Sequence, residues 1–88
     1  MPIISQFYGI LIYLYKEIGG HHNEPHIHIK YNEYEMSITL DEKIIAGELP
    51  VKQKKMLEAW IEIHKEELKA AWYAYNKEGE IIKIKGLE

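Results

Sequence analysis

Eighty-eight residues, 47% hydrophobic and 28% charged, describe a single folded domain spanning 1–88, with room for one core and no long disordered tract. A net charge of −3 argues against coating nucleic acid by charge alone, and all eleven basic residues are lysine, so the planar guanidinium fork that grips phosphate and guanine is missing. There is no cysteine, which excludes disulfides, thiolate metal sites and cysteine nucleophiles and fits a reducing cytoplasm.

The opening MPIISQFYGILIYLYKE is apolar. It lacks the basic start of a signal peptide, is interrupted by tyrosines and is too short to span a bilayer, so it reads as a strand of a cytosolic protein with no membrane association. Within it, Ile10 to Lys16 is apolar or aromatic on both alternating sets, as suits a strand covered on both faces. Glu17 to Pro25 then forms a loop, with paired glycines that tolerate positive φ and a proline that pushes Glu24 towards extended backbone.

From His26 the pattern alternates. HIHIKY places His26, His28 and Lys30 on one face and Ile27, Ile29 and Tyr31 on the other. YEMSITL continues the alternation, with Tyr34, Met36, Ile38 and Leu40 set against Glu35, Ser37 and Thr39. A two-residue turn at Asn32 and Glu33 joins the two runs and dictates their register: Tyr31 faces Tyr34, Ile29 faces Met36 and Ile27 faces Ile38. The same register sets Lys30 opposite Glu35, His28 opposite Ser37 and His26 opposite Thr39, giving one polar sheet face.

A turn at Asp41 and Glu42 leads to a short strand from Lys43 to Glu48, and GELP precedes a helix from Pro50 to Asn76. Leu57, Trp60, Ile61, His64, Leu68, Ala71, Trp72 and Tyr75 recur at three- and four-residue steps, so this aromatic stripe belongs on the apolar side of the sheet. Gly79 opens a turn into EIIKIK, read as a last strand. The class expected is α+β: a small, mostly antiparallel sheet with one long helix packed on one face.

The segments MPIISQFYGI, HNEPHIH, GELP and WIEIHKEEL, in that order along nearly the whole chain, resemble the domain of unknown function 4160 family of small bacterial proteins. The family's H-x-x-P-H-x-H pattern falls on His22, Pro25, His26 and His28, and its Y-x-E-Y-E on Tyr31, Glu33, Tyr34 and Glu35; the sequence departs from many relatives at His21, where they carry an acidic residue. The resemblance implies no settled activity. It implies instead a gene neighbourhood of toxin–antitoxin type, in which the protein pairs with another small protein.

Four of the five histidines lie between His21 and His28. His26 and His28 sit on one strand face with Cα atoms roughly 6.6 Å apart, a spacing from which two imidazoles converge on a divalent transition metal such as zinc. His22 is the candidate third ligand and Glu24 the alternative. A metal-free reading uses His26 and His28 as base and acid, with Lys30 steadying phosphate charge and Glu35 assisting, as in a small ribonuclease. Against both stands a plain polar face in which the histidines bond Ser37, Thr39 or water and Lys30 pairs with Glu35. A third class needs no chemistry: seven tyrosines and two tryptophans exceed what a small core hides, so some belong to an interface with a small protein partner or a second copy.

Overall fold

In a computed structural model that describes residues 2–15 and 24–87, five strands precede one helix: β1 (Ile3–Phe7), β2 (Ile10–Tyr13), β3 (His26–Tyr31), β4 (Tyr34–Thr39), β5 (Ile44–Gly47) and α1 (Val51–Glu78). The strands form one antiparallel sheet in chain order, each pairing with its neighbour in sequence. Between β3 and β4 the register is the expected one at all six pairs, from His26 opposite Thr39 to Tyr31 opposite Tyr34. Asn32 takes the left-handed conformation at the turn, with φ of 52°. Alternation decides that register, because a one-residue slip would carry either Ile27 and Ile29 or Met36 and Ile38 out of the core.

The opening segment is a hairpin and not one strand. Tyr8 and Gly9, with φ of 47° and 80°, turn the chain between β1 and β2. Two consecutive left-handed residues match the twist of paired strands, but tyrosine in the first of them hides the turn from a reading that looks for Asn-Gly or Asp-Gly. β2 stops at Tyr13, short of the expected Lys16, which lies outside the described residues together with the rest of the 16–23 segment. It is an interior strand, flanked by β1 and β3, but it is not covered on both faces: Ile10, Ile12 and, just beyond it, Leu14 join the core while Leu11 and Tyr13 line open hollows on the other side.

At the far end of β4 the Thr39 hydroxyl accepts from the backbone N–H groups of Asp41 (3.3 Å) and Lys43 (3.1 Å), while Glu42 holds φ of 64°. That turn sends the chain into β5, which pairs with β4 through a bulge: Ser37 opposes Ala46, but Ile38 opposes Ile44. Gly47, with φ of 79°, sits where an added Cβ would collide with the Glu35 carbonyl and lie 2.9 Å from Met36 Cα.

Pro50 precedes α1 as its N-cap residue, and the helix runs two residues past the expected Asn76. Gly79 closes it in the left-handed conformation (φ 69°), with its N–H on the Tyr75 carbonyl and that of Glu80 on the Ala74 carbonyl. His64 leaves helical geometry (φ −110°, ψ 20°) and kinks the helix. The expected stripe is buried at Leu57, Trp60, Ile61, Leu68, Ala71 and Trp72, in one core with Ile12, Ile27, Ile29 and Ile38. Lys65 reaches back to Asp41 at 3.2 Å, joining the helix to the turn after β4. Among the described residues no helix is long and apolar enough to cross a membrane.

EIIKIK is not a strand. The segment runs beside β1 and is held at two points: the Ile84 N–H donates to the Ile4 carbonyl (2.7 Å) and the indole N–H of Trp60 donates to the Lys85 carbonyl (2.9 Å). Its alternation buries Ile84 while Ile81 remains exposed, but of the two bonds one goes to β1 and the other comes from a helix side chain, and these do not make a ladder.

Candidate functional site

The helix covers one face of the sheet, and the polar residues of β3 and β4 lie on the other. Register identifies what stands beside them. Tyr13 on β2, His28 on β3, Ser37 on β4 and Ala46 on β5 form one row across the sheet, and Leu11, Lys30 and Glu35 form the next. Tyr13 and Tyr15 do not join the hydrophobic core beneath the helix. They meet each other edge-on at 5.6 Å and flank His28, with centroid distances of 6.2 Å to Tyr13 and 4.2 Å to Tyr15. These rings, with Glu35, Ser37 and Ala46, line an open depression of about 370 Å³. A second hollow of about 220 Å³ shares Tyr13, Tyr15 and Glu35 and extends over Ile3, Leu11 and Lys30.

The two strand histidines have different roles in this arrangement. His26 is only 4% exposed, and its Nδ1–H donates to the Glu24 carbonyl at 2.9 Å, tying the residues before Pro25 to the start of β3. The hydroxyl of Thr39, one of the partners that the polar-face reading offered the histidines, accepts instead from the turn after β4. The ring of Trp72, from the buried stripe of the helix, lies 6.3 Å from that of His26. His28 is half-buried, bonds Ser37 Oγ at 3.1 Å as expected, and lines the depression.

Burial raises the Tyr13 pKa above its ordinary value, and the nearby Tyr15 and Glu35 push the same way. Tyr13 therefore presents a protonated phenol at neutral pH, a hydrogen-bond donor and not a base.

Lys30 and Glu35 are opposite one another and exposed, but no ion pair joins them among the described residues. In water such a pair gains little against the entropy of two long side chains. His22 lies outside the described residues. Among those described, no three histidine, aspartate or glutamate side chains come together as a metal cluster. Of the residues named for the acid and base scheme, His28 and Glu35 line the depression and Lys30 the adjoining hollow, whereas His26 is buried and lines neither. His64, as its place on the stripe suggested, is a packed residue with one bond, to Glu67 Oε1 at 2.6 Å, and its ring lies 5.6 Å from that of Trp60.

Tyr13 and Tyr15 were not among the sequence candidates. Their signal is period-two alternation, Leu11, Tyr13, Tyr15, on a strand whose other set is Ile10, Ile12 and Leu14. It gains meaning only when β2 is known to pair with β3 across the intervening loop.

A family model described as "Domain of unknown function (DUF4160)" matches residues 9–73, the larger part of the chain. No curated protein and no solved structure matches it.

Proposed function

We propose that this chain, which belongs to the DUF4160 family, acts as a cytoplasmic interaction component of a bacterial pair of toxin–antitoxin type, docking a small protein partner on its helix-free sheet face. The observation behind the reading is that face, which no helix covers among the described residues: three rings, Tyr13, Tyr15 and His28, around an open depression beside Leu11 and the 42%-exposed Ile3. Aromatic residues concentrated at one hollow, with a lysine and a glutamate at its margin, have the make-up of a protein interface with a polar rim. The gene neighbourhood implied by the family resemblance supplies the occupant, the small protein encoded alongside. Charge points the same way, since a net charge of −3 without arginine suits a protein partner better than a phosphate backbone.

The test is binding between the purified chain and the product of the adjacent gene, with growth measured on co-expression. Tyr15→Ala and His28→Ala are each expected to weaken the complex at least about tenfold, the loss typical of an anchoring ring. Ile63→Ser, on the exposed side of the helix, should leave it unchanged. If the two products neither bind nor alter each other's effect on growth, the reading fails.

A second reading has one observation in its favour. Donation from His26 Nδ1 to a backbone carbonyl places the lone pair of the neutral ring on Nε2, the arrangement usual behind a metal-bound histidine, and the His28 ring is 5.2 Å away. On this reading His22 completes a site for a divalent transition metal such as zinc. Zinc should then raise the melting temperature at neutral pH and much less in acid, where protonated imidazoles do not coordinate. His28→Ala should abolish the rise. An unchanged melting temperature with zinc in excess removes this alternative.

A further inference from the structure

The sheet has two edges, and they differ. β1 is accompanied by the C-terminal segment, which bonds it at Ile4. β5 has no neighbour beyond it among the described residues: all four of its residues are exposed, including Ile44 at 43% and Ile45 at 41%. An unpaired strand carrying two exposed isoleucines is a template for strand addition.

The residues flanking this edge specify what fits it. In KIIAGE, an antiparallel pairing of β5 with the β5 of a second copy about a two-fold axis between Ile45 and Ala46 sets Ile44 against Gly47 and Lys43 against Glu48, twice by symmetry. Both charged residues are exposed, and neither has an ion-pair partner among the described residues. The backbone supports the same register. The Thr39 N–H bonds the Lys43 carbonyl and the Glu48 N–H bonds the Glu35 carbonyl, so Lys43 and Glu48 direct their backbone groups to β4. Alternation along an antiparallel ladder turns those of Ile44 and Gly47 outwards, towards the copy. Lys43 and Glu48 then fall at non-hydrogen-bonded pairs, where facing side chains approach most closely.

The bulge preserves the spacing that this pairing needs. Ile44 opposes Ile38 and Gly47 opposes Met36, so the three steps from Ile44 to Gly47 cover the length of two on β4. The two outward positions are thus one regular ladder repeat apart.

We propose that β5 is a homodimerisation edge, joining two copies of this chain into one continuous ten-stranded sheet through Ile44–Gly47 pairing closed at each end by a Lys43–Glu48 ion pair. A two-fold axis normal to the sheet keeps both helices on one side. The two depressions, which reach β5 at Ala46 and Gly47, are thereby brought onto a single surface across the axis.

Sedimentation velocity over a dilution series of the whole chain tests the proposal. Wild type should be a dimer that dissociates on dilution, and more readily in high salt. Lys43→Glu and Glu48→Lys each replace two attractive pairs with two repulsive ones, and each should weaken the dimer about thirtyfold. The double exchange, Lys43→Glu with Glu48→Lys, restores opposite charges and should return the dissociation constant to within about threefold of wild type. A monomer at every concentration overturns the proposal. So does a dimer that ignores the single reversals, or one that the double exchange fails to restore.

Discussion

Gly47→Ala is expected to destabilise the fold by about 2–5 kcal/mol, the sum of forcing a side chain into left-handed backbone and of driving its methyl into a packed neighbour. Both terms are present at this residue. Its φ is 79°, and the atoms that a Cβ would meet are backbone, the Glu35 carbonyl and Met36 Cα, which cannot swing aside as a side chain would. For a domain of this size, with about 4–13 kcal/mol in total, the loss ranges from severe to complete. Gly79→Ala is the control: φ is similar at 69°, yet nothing lies within 4 Å of an added Cβ, so only the conformational cost of about 1 kcal/mol remains. Urea midpoints of the two variants measure the difference. Equal losses would show that the close approach of β5 to β4 at Gly47 is wrong.

Trp60→Ala should cost about 3–5 kcal/mol, as expected for a fully buried tryptophan. Trp60 packs its ring against Phe7 at a centroid distance of 5.2 Å, and its indole N–H holds the Lys85 carbonyl, so a single side chain connects helix, sheet and C-terminal segment. Trp60→Phe separates those contributions. The ring is largely kept and the hydrogen bond is lost; because Lys85 is exposed, water can serve its carbonyl, and the cost should fall to about 1–2 kcal/mol. Hydrogen exchange localises the effect. In Trp60→Phe the Ile84 amide, bonded to Ile4, should lose protection while the Ile27 and Ile29 amides of β3 keep theirs.

What was legible in the sequence was local. The β3–β4 register followed from two alternating runs joined by two residues, and the buried face of the helix from its three- and four-residue steps. What was hidden depended on partners distant in the chain. Tyr8 does not advertise a turn, so β1 and β2 read as one apolar run. The role of Tyr13 and Tyr15 waited on a β2–β3 pairing that no short turn announces. His26 alternates like an exposed residue, but burial beside Thr39 and the arrival of the Trp72 ring are tertiary facts. EIIKIK has the period of a strand and lacks a ladder, which period alone does not reveal.

The chain-order arrangement of the five strands bears on how quickly this protein becomes functional after synthesis. Every ladder joins consecutive strands, so no strand must wait for a distant one, and contact order within the sheet is low. Each hairpin can close as soon as its second strand has emerged from the ribosome. The β3–β4 hairpin, with a two-residue connection as short as that of β1–β2 and with the most pairs, is the natural nucleus. Among the described residues, the bonds from Ile84 to Ile4 and from Trp60 to Lys85 need the segment that follows α1. A nascent chain can therefore assemble its sheet before the segment after α1 has emerged, and that segment fastens onto strands already paired.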